Sequence, residues 1–332
     1  MYQRSLRKID MNRYHLFINF PFICSLTGLQ CREYFSDPKI MMDAQIETYR
    51  RLGLPPVLIA DYGLATECSA FGAEVLYDNM GFPSADSSII ADLSETLSWK
   101  IPDPWSAGLM PKVLGTMEYM KGHAPSDVLL EVSPVSAPFS TAAMLRGISD
   151  FCLDLVEEDE EDIRAYLDIV TDATILYLKE QEKIAGKPDH ILVADDVSAF
   201  VSTNMYSQFV MPCYDRLYEQ FPHASRWLHN DAKAAHLAHL ISEAGFEYWH
   251  IGDSIDMGQA FSDTLGKVHL IGNMSPKLMR TGSAEEVSKE TEKLFEKYGS
   301  NPMFIAGLGG FINYGTPEEN VMAFIRTALQ MP

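Results

Sequence analysis

Seven short runs dominated by Val, Ile, Leu and aromatic residues punctuate the chain. They are PPVLIAD (55–61), DVLLEVS (127–133), HILVADD (190–196), SRWLHN (225–230), EYWHIG (247–252), VHLIGN (268–273) and PMFIAG (302–307). Each has strand length, and most are almost continuously apolar rather than alternating. That is the pattern of parallel strands covered on both faces. Between the runs, apolar residues recur every three or four positions, as on one face of a helix. Residues 153–185 keep this period throughout. So do 232–245, which end at Gly245, a residue suited to closing a helix. In 283–299 a Ser opens the pattern and Gly299 closes it. In 316–330 Thr316 is placed to cap the first turn, with Pro317 beginning it and Glu319 three residues after the cap. Residues 36–53 predict one more helix, before the first strand.

Strand, helix and strand in succession imply parallel βαβ units. An eighth strand is expected within 97–120, and eight such units close an α/β barrel of the (β/α)8, or TIM, type. An open doubly wound sheet is the other arrangement this order allows. No Gly-rich dinucleotide loop follows an early strand; GLGG (307–310) is too short and comes at the last one. The expected organisation is one barrel domain over 1–332, with 1–54 as an N-terminal helical extension and 55–332 as the barrel. Pro83, Pro102, Pro104 and Pro111 mark 79–111 as a long irregular excursion, a kind of segment that usually carries function.

Composition narrows the setting. The 332 residues are 47% hydrophobic, enough for one large core, and the formal net charge of −20 disfavours nucleic acid and anionic lipid as partners. The acidic block EEDEED (157–162) lies inside a helical pattern and reads as a solvated face. Cys24, Cys31, Cys68, Cys152 and Cys213 are scattered without a C-x-x-C pair, which argues against a disulfide framework or a zinc knuckle. The first 20 residues hold no signal-peptide core, and no apolar run is long enough to span a bilayer. A cytoplasmic protein with no membrane partner is expected.

The chemistry gathers where the runs end: Asp61, Glu131, Asp195 and Asp196, His229 with Asn230 and Asp231, His250 with Asp253, and Asn273. In a barrel those ends converge on one mouth, the usual place for an active site. Charges buried there without a task would cost stability. His229 and Asp231, two residues apart at a strand end, can converge on one divalent ion. The same spacing equally serves a hydrogen-bonded histidine and an aspartate capping the next helix. Asp195 and Asp196 offer a general base or a metal ligand; at least one of them is expected to be a structural anion, and Asp61 has the same two readings. His236 and His239 lie on the helix after the mouth and read as a packed or solvated face.

Seven segments resemble the uroporphyrinogen decarboxylase superfamily, most of all its corrinoid-dependent methyltransferases. They are ICSLTGLQCREYFSDP (23–38), ADYGLATECSAFGAEV (60–75), SAPFSTAAMLRG (136–147), LVADDVSAFVSTNMYSQFVMPCY (192–214), LHND (228–231), IGNMSP (271–276) and GTPEENV (315–321). The resemblance implies the same barrel. It makes Asp61 the counterpart of the decarboxylase's catalytic aspartate. The decarboxylase's arginine loop, however, is NFPFICSLTG (19–28) here, without an arginine, and its catalytic tyrosine and late histidine correspond to Met144 and to Gly309 or Gly310. Tetrapyrrole decarboxylation is therefore not expected. The methyltransferases bind zinc through H-x-C and a later Cys. Here His229 is kept, Asp231 stands for the first Cys, and Gly310 or its neighbour for the second.

The resemblance thus implies a methyltransferase that moves a methyl group from a small methylated substrate, such as a methyl ether, to a separate corrinoid protein. Zinc would be held by His229 and Asp231, with Glu131 or Asp196. Catalytic roles fall to Asp61 and Asp196, and Asn273 would contact the substrate or the corrinoid cofactor. Other outcomes are transfer from a methylcobamide to an acceptor, a metal-independent decarboxylase or lyase using Asp61 and Asp196, and a binding protein without catalysis.

Overall fold

The computed structural model describes residues 13–78, 80–85 and 88–331. In chain order the strands are β1 (Val57–Leu58), β2 (Val75–Tyr77), β3 (Pro83–Ala85), β4 (Leu129–Leu130), β5 (Val135–Ser136), β6 (His190–Ala194), β7 (Ser225–Asn230), β8 (Tyr248–Ile251), β9 (His269–Met274) and β10 (Phe304–Leu308). β5 through β10 form one parallel sheet in sequential order, and β1 pairs with β4. β4 and β5 are two halves of one run interrupted at Pro134, whose missing N–H breaks the ladder.

The remaining position of the ring is taken by the segment around Tyr14, which bridges Ala306 of β10 in parallel, with His15 N–H donating to the Ala306 carbonyl. The eighth strand is therefore not in 97–120, where the helix Met110–His123 lies. It sits inside the stretch expected as an extension. The fold is a (β/α)8 barrel with helices outside. No helix among the described residues is long and apolar enough to cross a membrane.

Side-chain alternation along the strands builds the interior. Leu192, Trp227, Ile271 and Ile305, one residue from each of β6, β7, β9 and β10, form a small cluster of their own, joined by Phe17 and by Tyr248 of β8. The intervening residues, such as Val193, Leu228, Trp249 and Leu270, face the helices and belong to the main core.

Local chemistry explains the boundaries. Ser283 caps the helix Ala284–Tyr298 in a capping box with Glu286. Thr316 does not cap the last helix; its hydroxyl bonds the Asn313 carbonyl at 2.8 Å, and the helix Glu318–Gln330 starts after Pro317. The periodic stretch 153–185 is two helices, Ile148–Glu157 and Glu160–Ala185, divided within the acidic block. Placing Glu160, Glu161 and Asp162 in a first turn sets negative charge against the positive end of the helix dipole. The excursion after β1 carries the antiparallel ribbon β2–β3.

Candidate metal centre at the barrel mouth

β6 and β7 end side by side, with Ala194 opposite His229, and β8 brings His250 opposite His229. Continuing each strand by two residues carries Asp196 and Asp231 to the same face. His229 Nε2 stands 3.9 Å from a carboxylate oxygen of each. Ligand atoms of the three residues all lie within 4.8 Å of one another. Tetrahedral zinc with bonds of about 2.1 Å holds its ligands about 3.4 Å apart, so the two nitrogen–oxygen gaps are each about half an ångström open. The Asp231 N–H donates to Asp196 Oδ1 at 3.0 Å, which locks the two loops together.

The electrostatics of this group are one-sided. Burial lowers the His229 imidazole to about 4, so the ring is neutral at physiological pH. Burial, then the nearby charge of Asp231, raises Asp196 to about 7. Burial also raises Asp231, with Asp253 adding to it. A neutral imidazole 3.9 Å from two acidic side chains is no salt bridge, and the gap is too long for a hydrogen bond. The arrangement has the donor chemistry of a divalent cation site: one nitrogen and two oxygens, with no thiolate.

Its walls are aromatic. Phe311 packs over His229 with ring centroids 4.4 Å apart, and Phe17 stacks on His250 at 4.2 Å. His229 Nδ1 and His250 Nδ1 are 2.7 Å apart, and His250 Nε2 is 2.8 Å from the Leu308 carbonyl. Glycine permits the close approach of the surrounding loops. A Cβ on Gly252 would fall 2.1 Å from the Asp231 carbonyl. Gly310 has φ of +139°, and a Cβ there would point to within 3.0 Å of Asp231 Oδ2. The position that the resemblance gives to a late cysteine is thus beside the group, but it carries no side chain.

The other expected site residues fall differently. Glu131 is not with the three. Its run continues past Pro134 to Ser136, so the carboxyl end is Ser136, paired with Ala194. Glu131 lies instead beside His190, the first residue of β6, at 3.6 Å. Asp195 is the structural member of its pair, and burial raises its pKa. It is fully buried, accepts from Ser140 Oγ at 2.6 Å and from the Tyr214 hydroxyl, and its carbonyl accepts from Asn230 Nδ2 at 2.6 Å. Asn273 spends both amide hydrogens on the carbonyls of Gly252 and Ile255, so it shapes the loop that carries Asp253.

Asp61 follows β1 and accepts the N–H groups of Phe20, at 3.0 Å, and Gly63, at 3.3 Å; burial raises it to about 6. It is outside the group of three. The segment 17–20 links the two, since Phe17 stacks on His250 while Phe20 binds Asp61. His236 bonds the Val201 carbonyl at 2.9 Å, a packing role.

The role of one residue and the place of another are hidden in the sequence. His250 was visible only as one more polar strand end, because its contact with His229 depends on the register of β7 against β8. Glu67 sits in the helix Ala65–Ala70, where ATECSA offered one charge among small residues as the only signal. It is almost wholly buried, takes the Ser136 N–H on Oε1 at 3.2 Å, has no hydrogen-bond partner for Oε2 among the described residues, and is raised to about 8 by burial.

Comparison with known proteins gives the family and the fold. The family model described as uroporphyrinogen decarboxylase (URO-D) matches residues 23–331. A methylated-thiol–coenzyme M methyltransferase of Methanosarcina mazei is 25% identical over 302 residues, covering 89% of this chain and 78% of that protein. A uroporphyrinogen decarboxylase of Shewanella piezotolerans is 23% identical over 248 residues, 70% of this chain and 66% of that protein. Among solved structures, a methyltransferase from Methanosarcina mazei superposes with a TM-score of 0.80 at 21% identity, covering 97% of this chain and 94% of that one, which shows the shared fold.

Proposed function

The chain belongs to the uroporphyrinogen decarboxylase family, and from that premise we propose that it is a cytoplasmic methyltransferase of a corrinoid system. It takes the methyl group of a small methylated substrate, a methyl ether by preference, and passes it to the cobalt of a separate corrinoid protein docked at the mouth. The observation that carries this reading is the convergence of His229, Asp196 and Asp231 on one point. The similarity to a methylated-thiol–coenzyme M methyltransferase supports the reaction class.

His229, Asp196 and Asp231 would hold the metal, with zinc as the first candidate. A zinc ion held this way would supply Lewis acidity at the oxygen that carries the methyl group, and two carboxylates quench that acidity less than two thiolates would. In the overall change the C–O bond breaks, the methyl group is gained by cobalt(I), and the leaving oxygen takes up a proton. Asp61, held near 6 between two backbone N–H groups, is a proton source for that oxygen near neutral pH. Phe17 and Phe311 keep water from the histidine side of the site and offer an apolar surface to the substrate. Asn273 acts on the docked corrinoid through the loop it shapes.

The test is direct. The zinc-loaded protein is incubated with a reduced corrinoid protein and a panel of methyl ethers, methylthiols and methylamines, and methyl-cobalt formation is followed by absorbance. Formation with an ether, lost on chelation, is the expected result. A methylthiol or methylamine as sole donor would refute the ether preference. Turnover of a carboxylic acid with release of CO2 in metal-free protein would replace the reading with a lyase.

A further inference from the structure

The two buried histidines at the mouth form a chain with a fixed direction. The Leu308 carbonyl can only accept, so His250 Nε2, 2.8 Å away, carries a hydrogen. His250 is 1% exposed and stacked on Phe17, and among the described residues no carboxylate is hydrogen-bonded to it. An imidazolium there would be buried without compensation, so its other nitrogen, Nδ1, is a lone pair. That lone pair meets His229 Nδ1 at 2.7 Å, a distance at which one nitrogen must donate. His229 therefore donates from Nδ1, and its Nε2 is left bare, facing Asp196 and Asp231 at 3.9 Å.

We propose that His250 is a positioning residue that sets the tautomer of His229 through the Nδ1–Nδ1 hydrogen bond, holding the Nε2 lone pair of His229 toward the two carboxylates. A ring free to choose would place its proton on either nitrogen, and a proton on Nε2 would close the site to a cation. The oriented outer partner of a metal-bound histidine is usually a carboxylate or a carbonyl. Here the carbonyl acts at one remove, with a second imidazole passing its orientation inward. His250 touches neither cation nor substrate in this account. The inference rests on the reading of the group as a metal site only for its consequence; the tautomer itself is a property of the metal-free protein.

Two measurements separate the possibilities. In metal-free protein, long-range proton–nitrogen correlation spectra of the histidine rings should show His229 protonated at Nδ1 and not at Nε2. A signal from protonated Nε2 overturns the proposal whatever the protein's activity. The second measurement is zinc affinity, by competition with a chromophoric chelator, in His250→Asn and His250→Phe. Asn keeps an acceptor near the Nδ1 position, whereas Phe keeps the ring and its stacking on Phe17 but offers no acceptor. The expected result is affinity within about threefold of the unsubstituted protein for Asn and a loss of about 10- to 100-fold for Phe. The reverse order would show that His250 acts by packing alone and would overturn the proposal. If the unsubstituted protein binds no zinc, the metal reading fails while the tautomer measurement still decides this one.

Discussion

The two ends of the barrel interior are furnished with the same residue types and put them to opposite uses. At the amino end His190, His269, Trp227 and Tyr248 stack on one another: Trp227 on Tyr248 at 4.4 Å, Tyr248 on His269 at 4.8 Å, His190 against Trp227 at 4.7 Å. Two residues further along the same strands, at the carboxyl end, His229 and His250 turn their polar edges to each other, and His229 also faces two carboxylates. His190 and His269 are held between neighbouring rings, whereas His229 faces two acids at once, the arrangement proposed above to hold a cation. Glu131 lies at the amino end, beside His190 and away from the group of three.

The comparison makes separable predictions. The largest effect is expected from Trp227→Ala, which empties the packed layer. A loss of about 3–5 kcal/mol in denaturant unfolding is expected, while the variant, once folded, keeps the zinc affinity of the unsubstituted protein. Collapse of zinc binding in the folded variant would join the two ends into one unit.

Glu67 comes next. Its pKa is about 8 in the folded protein against 4.5 for the free side chain. The folded state therefore holds this proton where the unfolded state has lost it. Its contribution is complete below about pH 4.5 and disappears as pH rises through 8. Glu67→Gln should flatten the fall in stability between those limits, by up to a few kcal/mol at pH 9. Chemical unfolding at pH 5, 7 and 9 measures this, and identical pH profiles for the two proteins would contradict it.

Asp195→Asn and Asp196→Asn form a smaller, reciprocal pair. The first should cost about 1–3 kcal/mol of stability, because it disturbs the buried bonds to Ser140 and Tyr214, and leave zinc bound. The second should leave stability nearly unchanged and weaken zinc. Glu131→Gln should leave zinc affinity unchanged, because the residue lies beside His190 and outside the group of three.

Much of this was legible in the chain. Continuous apolar runs gave seven barrel strands, and polar residues at the ends of β6 and β7 pointed to the mouth. What the sequence hid was pairing. The Tyr14 segment, YHLFINF (14–20), is itself apolar and strand-like in composition, but it runs straight into the helix Phe20–Thr27, and only its bridge to β10 marks it as part of the barrel. Pro134 divides one strand so that its apolar half appears to end at Glu131, four residues before the ladder with β6 begins. The His229–His250 contact lies across two strands whose register no local pattern fixes. Of Asp195 and Asp196, one had to point outward and one inward; alternation along β6 decides it, but only once the inward face is known.

The central claim is that the carboxyl-end group is a cation site and the amino-end group is not. Zinc titration of the purified, metal-stripped protein, followed by calorimetry, tests it most directly when repeated on His229→Ala, Asp231→Ala and Glu131→Gln. The account predicts one ion per chain, tight binding lost in the first two variants, and full binding in the third. Zinc bound equally well by His229→Ala, or lost only in Glu131→Gln, would contradict it.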